Sequence, residues 1–441
     1  MKILSVFFVS CLLFLYIIHI NEASAKSFSV IRDTEIEEVT LTYVRDIFQK
    51  AGLNAETAQI IFLNDDSINA FVAGGTLIFI HTGLLMQSDS PDAFIGVLAH
   101  EAGHIAGGHV ARSAVNLKKT QQTALISTLL GGLATVLSGR PDVGIAVLAG
   151  SAQSNQALFS SYRQSEEQIA DSAAVSILKQ TPYSIQGLAH IMEKIRRQEQ
   201  LSLPDDDSSY LRTHPLSSQR LSFLRQESDK EEKSLQKDPS FFRIKAKLSA
   251  FMQEPESVLK KYNSNSFPDR YARAIAYFRS LNIDKAMALL NDLIKEEPSN
   301  PYLYELKGQV LFETGKTRES LFSYKKAVEL KPEAVLIRLA YAHALVETGE
   351  KQNAREALLQ YRFVNSRKND FSESYKGMAT AYSILEEKDK IPPLMAEYYL
   401  NVGDYSNACR QADIALKTLK EGTPQWLRMK DISEIKEKET K

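Results

Sequence analysis

The sequence has few cysteines and no excess of either charge sign. Two cysteines among 441 residues cannot form a disulfide framework. With 53 Lys+Arg against 54 Asp+Glu the net charge is −1, which argues against a general nucleic-acid binder, because such proteins carry a net basic surface. Apart from the N-terminus, no apolar run is an obvious transmembrane helix. At this length we expect two or three domains.

The one long apolar run lies at the N-terminus, over residues 3–20. An Ala-Ser-Ala motif follows at residues 23–25, with small residues at the −3 and −1 positions of a cleavage site. These features favour a cleaved signal peptide over residues 1–25 rather than a retained membrane anchor. Cleavage would leave Cys409 as a lone thiol. An exported chain of this size without disulfides suits the bacterial envelope.

The first part of the mature chain, over residues 26–230, has mixed helical and strand patterns. Apolar residues recur at helical spacing over residues 33–50, and short β-rich runs cover residues 60–63 and 76–80. The pattern is then almost entirely helical. A charged stretch over residues 230–237 predicts the border with a second domain.

The second part, residues 231–441, repeats itself in steps of 34. Small residues stand where two helices would touch, large residues fill the space between them, and proline follows the second helix, which is the tetratricopeptide pattern. The clearest registers start at Phe267, Pro301 and Val335, and the period slips past Tyr361. The sequence therefore predicts an α+β, mostly helical protein. A domain with a small β-sheet precedes an α-solenoid whose concave surface holds peptide or protein.

Residues 100–104 read His-Glu-Ala-Gly-His, the HExxH motif. Residues four apart lie on the same side of a helix, so His100 and His104 present two imidazoles to one metal ion. Glu101 lies beside that ion, where its carboxylate can accept a proton from an attacking water. An apolar stretch precedes the motif, as expected for a buried active-site helix. The motif predicts a zinc peptidase.

The third metal ligand distinguishes two kinds of zinc peptidase. One kind places a third histidine where this sequence has Val110. His109 is one residue early and would lie on the opposite side of the helix from His100, so it cannot reach the same ion. The other kind takes a carboxylate from a downstream helix, and residues 161–171 offer one.

Two carboxylates in that segment share a helix face, because Glu167 and Asp171 are four residues apart. Glu167 can then bind the metal while Asp171 hydrogen-bonds a ligand histidine, whereas Glu166 points off this face. Together with HExxH, the Glu-x-x-Ala-Asp stretch at 167–171 resembles the zinc metallopeptidase family of the CAAX prenyl proteases and heat-shock membrane proteases. The resemblance implies a zincin-type fold with one zinc ion per chain, bound by the two histidines and Glu167.

Residues 69–79 are similar to the family's segment before the active-site helix. The resemblance implies an edge strand here that binds the substrate backbone by β-augmentation. The candidate substrate-binding residues in this segment are Asn69, Phe71, Gly74 and Gly75.

Thr213-His214-Pro215 resembles a late His-Pro motif of the family. His214 could stabilise the oxyanion of the reaction, occupy the open zinc position in a resting enzyme, or be an ordinary loop histidine. Arg220 follows on the next predicted helix, where it could bind substrate or pair with an acidic side chain.

An apolar segment over residues 123–150 has the pattern of a helical hairpin, and its first leg of 15 residues is short for a membrane span. The segment could belong to the core, cover the active site, or form a peripheral surface that contacts the outer membrane or its proteins. The sequence leaves these alternatives open.

The motifs predict a zinc-dependent endopeptidase of the periplasm, with Glu101 as general base and His214 as the catalytic histidine that stabilises the oxyanion. Domain order and signal peptide resemble those of periplasmic family members that act in outer-membrane protein quality control. The resemblance implies unfolded or misassembled outer-membrane proteins and their assembly machinery as partners, no nucleic acid, and a chaperone role for the repeats. The alternative is a scaffold with a silent peptidase domain, and the intact Glu101 argues against it.

Overall fold

The computed structural model describes residues 29–73, 75–108, 164–201, 214, 216–367 and 371–435. These residues form two compact units, the first up to Asn282 and the second from Ile283. The mostly helical α+β architecture that the sequence predicts is confirmed. The border after residue 230 stays a prediction, and the first unit continues beyond it. Segments 1–25 and 123–150 lie outside the described residues.

The first unit combines a small sheet with helices. Its strands in the described residues are β1 (Val30–Ile31), β2 (Gln59–Leu63), β3 (Ala70–Ala73) and β4 (Leu77–His81). A short 3-10 helix, Ala55–Thr57, precedes β2. Its described α-helices are α1 (Thr34–Lys50), α2 (Thr82–Gln87), α3 (Pro91–Ala106), α4 (Gln164–Lys179), α5 (Ile185–Leu201), α6 (Ser218–Asp229), α7 (Pro239–Met252), α8 (Pro255–Lys261) and α9 (Phe267–Arg279). The helix and the two β-rich runs predicted before the motif correspond to α1, β2 and β4.

The sheet has the strand order β1-β2-β4-β3. β2 and β4 are parallel, whereas β1 pairs with β2 and β3 pairs with β4 in antiparallel orientation. Phe71 on β3 is opposite Phe79 on β4, and their rings stack with centroids 4.9 Å apart. Val72 and Ile78, which point to the other face, belong to the buried core. Among the described residues β3 is an edge strand, as the family resemblance implied.

Local signals define where α1 and α3 begin. Asp33 caps α1, since its side chain accepts a hydrogen bond from the Ile36 amide at 2.9 Å. Ser90 caps α3 in the same way, since its side chain accepts a hydrogen bond from the Ala93 amide at 3.2 Å. Pro91 occupies the first turn of this helix. Nearly every residue of α3 is buried, which suits the apolar sequence that precedes its motif. The core therefore surrounds the helix that carries HExxH.

A buried ionic cluster joins α1 to the helices beyond residue 230. Lys247 Nζ on α7 lies 2.8 Å from Asp33 Oδ2 and 3.2 Å from Glu35 Oε2. Arg243 Nε lies 2.5 Å from Glu35 Oε1, and the Tyr271 hydroxyl on α9 donates to Glu35 Oε2 at 3.0 Å. Because Glu35 is fully buried, these partners offset the loss of its hydration. α7 and α9 are thus bound to α1 within the first unit.

The second unit is helical throughout its described residues. Helices of successive repeats begin 34 residues apart, at Pro301 and Val335 and again at Thr317 and Lys351. The tetratricopeptide-like repeat is thereby confirmed. None of the described helices of the chain combines the length and hydropathy of a membrane span. The helices are α10 (Ile283–Glu296), α11 (Pro301–Glu313), α12 (Thr317–Leu330), α13 (Val335–Glu347), α14 (Lys351–Ser366), α15 (Ser372–Ile384), α16 (Ile391–Asn401), α17 (Tyr405–Leu416) and α18 (Pro424–Ser433).

The repeat pattern of small and large residues reflects close helix packing. Gly308 on α11 lies against the ring of Tyr324 on α12, and a Cβ added to Gly308 would be 2.8 Å from that ring. Tyr361 on α14 packs against Gly377 on α15 in the same manner. α15 begins later than the 34-residue period requires, as the slip past Tyr361 predicts.

We expect Glu35→Ala to lower the free energy of unfolding by about 3 kcal/mol, because it removes the carboxylate that Arg243 and the buried Lys247 share. Urea denaturation followed by circular dichroism measures the change. Glu56→Ala, at an exposed position, is the control and should change the free energy by less than about 0.5 kcal/mol. Equal effects of the two substitutions would show that the cluster contributes nothing to stability.

Candidate active site

α3 and α4 cross at a glycine inside the HExxH motif. A Cβ added to Gly103 would lie 2.8 Å from the Ala170 carbonyl oxygen and 3.1 Å from the Ala173 Cβ. Because glycine has no Cβ, the two backbones can approach this closely. The crossing lies between the two motif histidines on α3 and between the two predicted carboxylates on α4. The predicted metal ligands of both helices therefore meet at one place.

Four fully buried side chains converge at this crossing, His100, His104, Glu167 and His214, and their candidate ligand atoms all lie within 4.8 Å of one another. His104 Nε2 is 3.2 Å from His100 Nε2 and 3.2 Å from Glu167 Oε1. His100 Nε2 is 3.3 Å from Glu167 Oε2. His214 Nδ1 is 3.4 Å from His100 Nε2 and 3.2 Å from Glu167 Oε1. His214 thus lies within the cluster and is not an ordinary loop histidine.

These separations are those of ligands around a tetrahedral metal ion. Nitrogen and oxygen ligands about 2.05 Å from a zinc ion, at tetrahedral angles, are about 3.3 Å apart. The observed separations are 3.2 to 3.4 Å. Three imidazole nitrogens and one carboxylate are also a donor set that binds transition metals. The residues present therefore fit a metal ion.

Asp171 and Arg220 support the cluster from outside. Asp171 Oδ1 lies 3.0 Å from His100 Nδ1, so the opposite ring nitrogen faces the cluster. Arg220 on α6 donates from Nε to Asp171 Oδ2 at 2.6 Å and from Nη2 to Oδ1 at 2.8 Å. Its Nη1 lies 2.8 Å from Glu167 Oε2, and the side chain is fully buried. Of the two roles that the sequence left open for Arg220, this geometry favours pairing with acidic side chains over substrate binding.

Burial and neighbouring charges set the pKa values of the cluster. Burial would lower the pKa of His100, but the carboxylates of Asp171 and Glu167 raise it to about 9. Burial and the neighbouring histidines lower the pKa of His104 to about 3. Burial would raise the pKa of Glu167, yet the surrounding histidines hold it far below its usual range. Glu167 is therefore ionised and His104 neutral, the states in which both bind a metal.

Glu101 faces the cluster from α3 without a hydrogen bond of its own in the described residues. Its Oε1 lies 3.4 Å from His214 Nε2. Burial raises the pKa of Glu101, although the nearby histidines oppose the shift. A carboxylate with a raised pKa and no fixed donor is suited to accept a proton and release it again.

The sequence that forms this cluster matches a known family of peptidases. The profile of peptidase family M48 matches residues 31–228. That range contains the whole cluster together with Glu101, Asp171 and Arg220. The segment is an M48 metallopeptidase domain. The resemblance inferred from HExxH and the downstream Glu-x-x-Ala-Asp stretch is thereby confirmed, and the chain is an enzyme.

Two curated relatives are similar to this chain in sequence. The beta-barrel assembly-enhancing protease of Escherichia coli (strain K12) is 27% identical over 378 residues, which cover 83% of this chain and 76% of the relative. The metalloprotease LoiP of the same organism is 28% identical over 160 residues, 36% of this chain and 58% of LoiP. Among solved structures, the chain is similar to YrrB, a TPR protein with an unusual peptide-binding site. The match covers 40% of this chain and 92% of the YrrB chain, with a TM-score of 0.33 and 19% sequence identity. The first relative matches well beyond the M48 domain.

The predicted substrate-binding residues of the M48 domain lie at and beside the edge strand β3. Asn69 precedes the strand and is buried, and its side-chain oxygen has no hydrogen-bond partner in the part of the chain that is described. Phe71 lies within the strand and is half-buried. Gly75 follows with a φ of 103°, a backbone conformation that favours glycine. Gly74 lies outside the described residues, and substrate binding by this segment stays a prediction.

Other predictions near the M48 site fall on residues that are not described. They concern His109, Val110 and the sequence neighbours of His214, which are Thr213 and Pro215.

Sequence reasoning missed two features of the M48 site. It did not single out Gly103, although a glycine inside a helix, between two candidate ligands, is a signal of close backbone approach. It also did not predict that Arg220 contacts Glu167 and Asp171 together. No pattern in the sequence indicates this double contact, because it depends on how α6 lies against α4.

We expect Glu167→Gln to abolish metal binding by the M48 domain, because a neutral amide replaces the charged ligand of the cluster. Metal content of the purified, dialysed protein, measured by atomic spectroscopy, tests this. Glu166→Gln is the matched control, since Glu166 is adjacent in sequence but only half-buried, and we expect it to bind as much metal as the unmodified chain. Equal metal content in the two variants would contradict the assignment of Glu167.

Proposed function

We propose that this chain is a zinc-dependent endopeptidase that hydrolyses unfolded or misassembled outer-membrane proteins. The observation that carries the proposal is the cluster of His100, His104, Glu167 and His214 beside Glu101, within an M48 domain. A scaffold without peptidase activity is not favoured, because a scaffold needs neither a metal-ligand cluster nor a buried general base.

The proposed location is the periplasm, where such substrates pass on their way to the outer membrane. The signal peptide predicted over residues 1–25 supports this location. The similarity of 83% of the chain to a protease named for β-barrel assembly supports the substrate class and the assembly machinery as a partner. A peripheral membrane contact through residues 123–150 belongs to the same proposal and rests on the apolar sequence alone.

In the proposed mechanism His100, His104 and Glu167 hold the metal. A bound zinc ion supplies Lewis-acid polarisation of the scissile carbonyl and makes water more acidic. Glu101 accepts the proton of the attacking water on its carboxylate and then delivers it to the leaving amine. Asp171 and Arg220 keep His100 and Glu167 oriented while this proton moves.

His214 is proposed to occupy the fourth ligand position in a resting form of the enzyme. Its Nδ1 is as close to His100 and Glu167 as those ligands are to each other. A ring in this position fills the space that Glu101 faces and excludes water from it. Cleavage then requires that His214 moves aside from this position.

The edge strand β3 is proposed to bind substrate in extended form. The backbone groups of β3 that have no strand partner among the described residues can add a peptide strand, with Phe71 as a half-buried contact for substrate side chains. Unfolded outer-membrane proteins suit this mode, because their spanning segments are extended strands with alternating apolar residues. The helical repeats of the second unit are proposed to hold such chains during cleavage.

Glu101→Gln should reduce the rate of casein cleavage by at least about 100-fold, because the amide cannot accept the proton of the attacking water. Initial rates with fluorescent casein, together with metal content, test this, and the variant should retain its metal. Glu56→Gln, at an exposed position, serves as the control with an unchanged rate. Equal rates for Glu101→Gln and the unmodified protein would remove the basis of the proposal.

His214→Ala should raise the basal rate of casein cleavage, because it vacates the fourth ligand position for water and substrate. Initial rates of casein cleavage at saturating metal are compared with those of the unmodified protein. His190→Ala, at an exposed histidine, is the control and should leave the rate unchanged. A fall of about 100-fold in His214→Ala would instead assign this histidine to the oxyanion and contradict the resting role.

A further inference from the structure

Residues 231–236, here called the strap, cross the ends of helices that carry the metal ligands. The strap has neither helix nor strand structure, follows α6 and lies beyond the M48 match, which ends at residue 228. Lys233 Nζ donates to the carbonyl oxygens of Leu178 and Thr181, at 2.8 Å each. These carbonyls belong to the C-terminal end of α4, where the helix dipole attracts a cation. The strap thus binds α4 at the end away from Glu167.

The strap also binds the beginning of α5. Glu231 Oε2 accepts hydrogen bonds from the Ser184 hydroxyl at 2.8 Å and from the Ile185 amide at 2.7 Å. Its other oxygen lies 3.3 Å from Lys233 Nζ. Because the N-terminus of a helix attracts negative charge, Glu231 and Lys233 complement opposite helix ends and pair with each other. The two residues hold the C-terminus of α4 beside the N-terminus of α5.

A third contact connects the strap to α3, the HExxH helix. The Gln236 amide donates to Asp92 Oδ2 and the Ser184 amide donates to Asp92 Oδ1, both at 2.7 Å. Asp92 is fully buried in the first turn of α3, and these donors stabilise its charge there. α5 also packs closely on α3, since a Cβ added to Gly96 would lie 2.7 Å from the Leu188 Cβ. One short segment therefore fixes three helices to one another.

The two attachments of α4 lie at opposite ends of the helix. Arg220 holds the ligand end through Glu167 and Asp171, whereas Lys233 holds the other end. At 1.5 Å per residue, Leu178 is about 16 Å from Glu167 along the axis. A helix held at one end can pivot about the glycine crossing, and a small rotation would move the Glu167 carboxylate out of ligand distance. Attachment at both ends prevents this pivot.

We propose that the strap fixes α4 on α3 and so keeps Glu167 within ligand distance of His100 and His104, with Lys233 as a positioning residue. The inference rests on the proposed metal site. Lys233 contacts neither the metal ligands nor the substrate strand in this arrangement, and it acts through the backbone of α4. The metal site of this chain would then depend on residues that the M48 match does not include.

The test measures metal release from the full-length, zinc-loaded chain into excess chromophoric chelator. Lys233→Met should release zinc about tenfold faster than the unmodified chain, because supporting contacts around metal sites typically change metal affinity by about this factor or more. Lys237→Met replaces an exposed lysine directly after the strap and should leave the release rate unchanged. Lys233→Arg should restore slow release, since a guanidinium can donate to the same carbonyl oxygens.

Leu248→Ala distinguishes positioning from general stability. Leu248 is fully buried in α7, so its truncation destabilises the first unit without removing a strap hydrogen bond. This variant should release zinc at nearly the unmodified rate, and only Lys233→Met should change the visible spectrum of the cobalt-substituted protein, which reports ligand geometry. Equal release from Lys233→Met and the unmodified chain, or equally fast release from Leu248→Ala, would overturn the proposal. An unmodified chain that binds no zinc would overturn the proposed metal site as well, so the two failures are distinguishable.

Discussion

The approach of α3 to α4 at Gly103 is the contact on which the metal cluster depends. His100 and His104 on α3 are four residues apart, as are Glu167 and Asp171 on α4, and the crossing lies between the members of each pair. A Cβ at Gly103 would be 2.8 Å from the Ala170 carbonyl oxygen, so a larger residue would push the helices apart and with them the Glu167 carboxylate. The ligand atoms of His100, His104 and Glu167 are only 3.2 to 3.3 Å from one another, which leaves little tolerance for such a shift. Arg220 and the strap contact α4 on either side of this crossing, and Asp171 connects α4 to His100 on α3.

The charges around the crossing show why a cation belongs there. Glu167 and Asp171 bring two negative charges into a fully buried site, and Arg220 supplies one positive charge. The carboxylates raise the pKa of His100 to about 9, so without a metal a proton on this imidazole compensates part of the remaining charge. A divalent cation meets the same electrostatic demand with two charges and leaves His100 neutral as a ligand. Metal binding therefore displaces a proton in a site that is already organised for positive charge.

Features that depend on spacing within one segment could be predicted from the sequence, and features that depend on contacts between distant segments could not. HExxH and the Glu167–Asp171 pair follow from helical periodicity, and the repeats follow from a 34-residue period. Glu35 instead has the pattern of an ordinary acidic residue in the first turn of a helix. Its burial depends on Arg243 and Lys247, about two hundred positions away in the sequence. The hydrogen bond between the Gln236 amide and Asp92 likewise joins residues that are far apart in the sequence, so no local pattern predicts it.

The buried ions of Glu35 also bear on where the peptidase unit ends. Buried charges lose hydration, so the pairing of Glu35 with partners on α7 and α9 favours one arrangement of these helices on α1 and disfavours others. Because the strap lies between α6 and α7, its two ends are fixed, by Arg220 on one side and by this ionic cluster on the other. A segment fixed at both ends loses little further conformational entropy when it binds α3, α4 and α5. In the proposed role of the strap, the ionic contacts of Glu35 with Arg243 and Lys247 hold its C-terminal end, although the helices after residue 230 contribute no ligand to the proposed metal site.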